Sequence, residues 1–274
     1  MRKNLKSLVA IITGASSGIG RETAFLFARK GVKIALASRR EDKLQEVAQE
    51  INGLGSEALI LPIDVSDQDQ VDSMVERVLE RFGQVDILVN NAGFGQFASV
   101  EETSAYDMRE IFGVNFMGAF YAIKAVLPHM RKQGGGHIIN ISSVAGKRSF
   151  PFMGAYCATK FAMNAISEAL RIELTGTNIH VSLVYPVTTK TEFFDVLKNK
   201  TGKRFEPPTM FTQSAQQVAQ AIVKCAENPK TEVFPFPLAR LLIAINAIAP
   251  GVLDTILRKY YKSMINENSA TIGL

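Results

Sequence analysis

Tyr156 and Lys160 stand four positions apart in the run Tyr156-Cys157-Ala158-Thr159-Lys160. Small and apolar residues there favour helix, so the phenol and the ammonium share one helix face. A phenol titrates near ~10, and a proton donor working around neutral pH needs a neighbouring positive charge that stabilises the phenolate. Lys160 is placed to supply that charge. Thirteen positions before Tyr156, Ser143 follows the apolar run 138–141 and offers a second hydroxyl. Cys157 adjoins the tyrosine, but the adjacent residue of a helix points about 100° away and no histidine is near in sequence to act as its base. It reads as a small core residue.

The elements that must position these groups alternate along the chain. Segments 9–13, 33–37, 58–63, 87–90, 137–142, 179–185 and 231–234 are short runs rich in Val and Ile, the pattern of strands covered on both faces. Helical patterns at 20–30, 41–52 and 68–82 precede stops at Gly31, Gly53 and Gly83. Repeated strand-helix-strand units demand right-handed crossovers, which predicts an α/β doubly wound, mostly parallel seven-stranded sheet with helices on both faces. In such a sheet the functional loops gather at the carboxyl ends of the strands. Thr13-Gly14, Asn90-Asn91, Ser142-Ser143 and Pro186 all fall at such ends.

Composition sets the bounds. A chain of 274 residues with 47% hydrophobic content can bury a large core as a single domain spanning 1–274. Two cysteines argue against a secreted disulfide framework and for a reducing interior. His129, His137 and His180 lack a metal-ligand spacing, so no metal is expected. The formal charge of +5 is spread along the chain without a recognition motif, which points away from nucleic acid. The apolar stretch 8–12 after the basic first residues is too short for a signal peptide.

Four elements in order, Thr13-Gly14-Ala15-Ser16-Ser17-Gly18-Ile19-Gly20, Asn90-Asn91-Ala92-Gly93, Ser143, and Tyr156 with Lys160, resemble the short-chain dehydrogenase/reductase family over residues 8–191. The resemblance implies a Rossmann fold whose Gly14, Gly18 and Gly20 let backbone amides, with Ser16, Ser17 and Ile19, approach a pyrophosphate at a helix amino terminus. It implies adenine contacts from Asp64 and Val65, a cofactor wall from Asn91, Ala92 and Gly93, and a nicotinamide site at Pro186 and Thr191. Val187 departs from the glycine usual after that proline. The second strand ends in Ala37-Ser38-Arg39-Arg40 without a carboxylate, so Arg39 is expected to take a ribose 2′-phosphate and the cofactor to be NADP(H). Related NADP-dependent enzymes often carry Lys or Arg where this chain has Ser17. By the same resemblance Tyr156 is the general acid or base, Ser143 holds the carbonyl oxygen, and Lys160 binds the nicotinamide ribose and lowers the phenol's pKa. Asn115 in Phe112-Gly113-Val114-Asn115 supports a water-linked proton relay, or else satisfies local backbone groups. The implied activity is NADP(H)-dependent interconversion of a ketone or aldehyde and an alcohol, with reduction the physiological direction. A non-catalytic NADP(H)-binding regulator is the alternative from another class.

Two segments are read as substrate loops. The first, 147–154, carries Phe150, Phe152 and Met153; the second, 190–212, carries Phe193, Phe194, Phe205, Met210 and Phe211 beside Lys198, Lys200, Lys203 and Arg204. They suit an apolar small molecule better than a sugar, although each apolar residue is also consistent with ordinary core. Residues 241–253 are thirteen consecutive uncharged positions within an apolar helical extension at about 235–265. The roughly 20 residues of a transmembrane helix exceed them. Two broken helices there are expected to pack on protein; the alternative is a membrane interface, with the chain resembling the lipid-acting 3-ketosphinganine reductases, which carry apolar carboxyl-terminal segments. A helix over 155–175, apolar or small nearly all round, is expected to face the sheet and a second copy in a homodimer or homotetramer. The expected location is cytoplasmic, with peripheral membrane contact as the alternative.

Overall fold

The computed structural model describes residues 4–201 and 212–269. Its central sheet has seven parallel strands: β1 (Val9–Thr13), β2 (Lys33–Ser38), β3 (Ala58–Pro62), β4 (Ile87–Asn90), β5 (Gly136–Ile141), β6 (Ile179–Val184) and β7 (Glu232–Val233). They lie in the order β7-β6-β5-β4-β1-β2-β3. The order reverses between β1 and β4, and a crevice opens there beyond the strand ends.

Side chains alternate across the pleat. Ala10 and Ile12 join a core with α1 (Gly18–Ala28), α2 (Glu41–Gly53) and α7 (Ala215–Glu227), while Val9 and Ile11 join one with α3 (Gln68–Phe82), α5 (Gly118–Lys132) and α6 (Gly154–Glu173). Coverage of both faces is why the strands read as unbroken apolar runs. Ile11, Ile12, Ile34 and Leu36 are fully buried, each stabilising the fold by about 1.5–3 kcal/mol.

Local chemistry ends α3 where expected. Asp67 accepts from the amide of Gln70 at the start of α3, and Gly83 closes that helix with φ of 78°. At α2 the expected stop at Gly53 is displaced: Gly53 remains helical and Gly55, with φ of 78°, turns the chain. The segment read as a loop at 190–212 carries short strands. Thr188–Lys190 pairs with Thr212–Ser214, and Lys198–Asn199 pairs with Gln96–Phe97. Lys203, Arg204, Phe205, Met210 and Phe211 lie outside the described residues. Near the end, α8 (Pro237–Ile248) and α9 (Pro250–Ser269) meet at a bend of 111°.

Candidate active site

A cleft of about 710 Å³ lies at the carboxyl ends of the strands. Gly14, Ser16, Ser17, Gly18, Ile19, Arg39, Asp64, Val65, Asn91, Ala92, Gly93, Ser143, Tyr156, Lys160, Pro186 and Thr191 all line it. Gly20 lies beneath: a Cβ there would stand 2.3 Å from the Gly14 carbonyl oxygen. Gly14 and Gly18 have φ of 65° and 54°, the left-handed region that favours glycine. Asn91 pins the turn by donating through Nδ2 to the carbonyls of Thr13 and Gly14 at 3.0 and 3.1 Å. At the start of α1 the Ser17 hydroxyl accepts from Arg40 at 2.8 Å instead of capping the helix. The first amides of α1 are thus left for an anion, and the turn fits a dinucleotide pyrophosphate.

The two arginines after β2 diverge. Arg39 reaches Asp64 at 3.9 Å with its side chain 73% exposed. Arg40 is the anchored one: its guanidinium donates to Ser16 at 3.1 Å and to Ser17 at 2.8 Å, and pairs with Glu192 at 2.9 Å. The hydrogen bond from Arg40 holds the Glu192 carboxyl below the usual carboxylate range. Arg40 therefore straps the glycine turn to the segment after β6, a role that the sequence reading gave to neither arginine. That segment needs no glycine at Val187, which adopts ordinary negative φ and is buried. Opposite Gly18 stands Thr191, whose side chain would lie 3.1 Å from a Cβ added to that glycine.

Ser143, Tyr156 and Lys160 meet at the inner end of the cleft. The Ser143 oxygen accepts from the amide of Ala145 at 3.1 Å, and its hydroxyl lies near enough to the phenol of Tyr156 to favour the phenolate. Lys160 alone does not bring the phenol down. Burial dominates and pushes the phenol well above its ordinary value, with Ser143 acting in the opposite sense. Lys160 stands 5.8 Å from the ring centre and gives its Nζ to the carbonyl of Ile141 at 2.8 Å. Burial also pulls Lys160 down to about 8, so its ammonium stays mostly charged at neutral pH and gives up its proton just above it. Burial raises the thiol of Cys157 as well, keeping it protonated.

A buried polar spine behind these groups escaped the sequence reading. Tyr156, Lys160, Asn164 and Ser167 share one face of α6. Ser142 donates to Asn164 Oδ1 at 2.7 Å, and Asn164 Nδ2 donates to the carbonyl of Gly146 at 2.8 Å. Asn90 donates to Asn140 at 2.8 Å, and Asn140 to Ser167 at 2.8 Å. The available signal was the continuation of the four-residue step from Tyr156 and Lys160 to Asn164.

Asn115 lies in a π-helical turn, Gly113–Met117, between α4 (Ala105–Phe112) and α5. Such turns recur at functional sites. Its Oδ1 accepts from the amide of Phe94 at 2.9 Å, while Nδ2 donates to the carbonyl of Phe94 at 2.9 Å and to Thr159 at 3.3 Å. The amide is thus engaged with distant backbone, neither local as one alternative had it nor lining the cleft. It positions Phe94, a wall residue, and α6 through Thr159. Asn115→Ala is expected to destabilise the fold by about 2–4 kcal/mol in a denaturant titration, because it leaves buried backbone groups unpaired.

The comparisons agree with this geometry. Residues 8–202 match the family model described as short chain dehydrogenase. An uncharacterized oxidoreductase from Staphylococcus saprophyticus is 41% identical over 204 residues, covering 73% of this chain and 82% of its own. A short chain dehydrogenase/reductase from Burkholderia phymatum, solved in complex with NAD, superposes with a TM-score of 0.82 at 29% identity, covering 92% of this chain and 96% of its own. An alcohol dehydrogenase from Thermococcus sibiricus, solved with 5-hydroxy-NADP, superposes at 0.74 with 31% identity, covering 83% and 95% respectively. The fold and site thus define a dinucleotide-binding oxidoreductase. The chain belongs to the short-chain dehydrogenase/reductase family.

Proposed function

We propose that the protein is an NADP(H)-dependent reductase of apolar ketones or aldehydes. The observation that carries the reading is the convergence of Ser143, Tyr156 and Lys160 in a cleft whose other walls are Phe94, Phe150, Met153 and Phe193. Tyr156 also meets the Phe193 ring edge-on at 5.5 Å. A bound nicotinamide supplies the hydride. Ser143 donates a hydrogen bond to the substrate oxygen, a preorganised donor for the developing alkoxide. Tyr156 passes its proton to that oxygen. Lys160 holds the nicotinamide ribose.

The preference for NADP(H) is supported by Arg39 and Arg40, both at the cleft edge. Glu192 competes for Arg40 and must yield it to a phosphate. Arg39→Asp and Arg40→Asp are each expected to shift the NADPH-to-NADH affinity ratio about tenfold or more toward NADH, as charge-assisted hydrogen bonds warrant. Ratios unchanged in both variants remove the 2′-phosphate assignment. The reductase reading itself is tested by loss of NADPH absorbance over a panel of long-chain ketones and aldehydes. Tight NADPH binding without turnover across that panel favours the regulator reading.

A homodimer is supported by the outer face of α6, where Phe161 and Ile172 are exposed in line with Ala165 and Ala169. The proposed location is cytoplasmic.

A further inference from the structure

Helix α8 turns Leu238, Leu241, Ile245 and Ile248 outward at steps of three, four and three residues, a single helical stripe. Beyond the 111° bend Val252 and Ile256 of α9 are exposed as well. All six are exposed among the described residues, and Ile248, at the bend, is 87% exposed. A patch of this kind marks a contact surface.

Charge identifies the partner. Between Pro237 and Lys262 the sequence holds Arg240, Arg258, Lys259 and Lys262 against a single acid, Asp254. All four bases are exposed, whereas Asp254 is neutralised by Arg148. A twofold contact would press this cationic rim against its own copy, which is unfavourable. An anionic lipid surface complements both the apolar stripe and the basic rim. The twelve residues of α8 extend about 18 Å, short of the ~30 Å hydrocarbon core, so the helix lies in the interface and does not cross it.

The same helices are tied to the wall of the cleft. Arg148 donates to Asn246 at 3.1 Å and pairs with Asp254, and Asn246 donates back to the carbonyl of Lys147 at 3.3 Å. Tyr261 of α9 stacks on Phe152 at 5.5 Å, and the flanking Pro151 and Met153 line the cleft. We infer that the α8–α9 surface docks on an anionic bilayer and that the cleft draws a lipid-dissolved carbonyl compound from it. The substrate clause rests on the reductase reading; the docking does not.

Co-sedimentation of the full chain with vesicles of phosphatidylcholine and phosphatidylglycerol, against phosphatidylcholine alone, tests the docking. Binding to the mixed vesicles is expected, and it should fall at least about tenfold in a Leu241→Asp, Ile245→Asp, Ile248→Asp variant, which loses the inserted area. The charge-reversed Arg258→Glu, Lys259→Glu variant, which leaves the apolar stripe intact, should lose about fivefold per cation removed. NADPH binding by both variants verifies that they fold. Wild-type protein remaining in the supernatant, or unchanged sedimentation of both variants, overturns the proposal. So does a dimer in analytical ultracentrifugation that the triple variant converts to monomer without any vesicle binding, because a second copy then covers the stripe. For the substrate clause, the triple variant should slow reduction of a long-chain aldehyde held in vesicles several-fold and leave a short soluble aldehyde unaffected. Equal slowing of both refutes the clause. Sedimentation with no turnover of any carbonyl refutes the reductase reading and leaves the docking standing.

Discussion

Tyr156→Phe is expected to lower carbonyl-dependent NADPH oxidation by roughly 10²–10⁴-fold, the usual contribution of a positioned proton donor, while NADPH binding persists. The substitution removes one oxygen and keeps the ring, whose edge contact with Phe193 at 5.5 Å is unaltered. Ser143 retains its bond from the Ala145 amide at 3.1 Å, so the remaining donor stays in place. What disappears is the proton the substrate oxygen must receive. Stopped turnover with retained nucleotide fluorescence enhancement is the outcome to look for, and full activity in the variant would show that the proton comes from elsewhere.

The second large effect concerns stability, and its sign is opposite to intuition. Burial lowers Lys160 from 10.5 to about 8. Below about pH 8 the ammonium is charged in both folded and unfolded chains, and the folded chain carries the full desolvation cost. Between about 8 and 10.5 the unfolded chain binds the extra proton, so the cost shrinks as pH rises and vanishes above 10.5. Lys160→Met therefore removes a penalty at pH 7 of up to about 3 kcal/mol. Loss of the hydrogen bond to Ile141 returns about 1 kcal/mol of that. The expected result at pH 7, without cofactor, is a variant more stable by about 2 kcal/mol, or about 4–8 °C in Tm. The advantage should fade by pH 10. Thermal melts of both proteins across that range check the sign, and a variant less stable at pH 7 contradicts the buried-ammonium account. Turnover should be lost at every pH, the mark of a residue kept for function at a cost in stability.

The departures from the sequence reading share a cause. Gly83 was readable as a stop because a left-handed cap is a local backbone event. Arg39 and Arg40 were not separable, because their partners Asp64, Ser16, Ser17 and Glu192 come from three other loops. The engagement of Asn115 with Phe94 spans 21 positions, a distance no local pattern reports.

The chain's own pattern of residues determined the seven strands of the central sheet, helices α1, α2, α3 and α6, the parallel direction of the strands, and the presence of a glycine turn and a Tyr-Lys pair at one sheet edge. Each follows from backbone preference and from side-chain periods of 2 and 3.6 residues, which act over short stretches. Tertiary structure alone decided which arginine anchors the turn, how the phenol and ammonium titrate, and which apolar residues of α8 and α9 are left facing outward. Those properties depend on which groups lie near and how much water remains around them, and both arise only when distant segments pack.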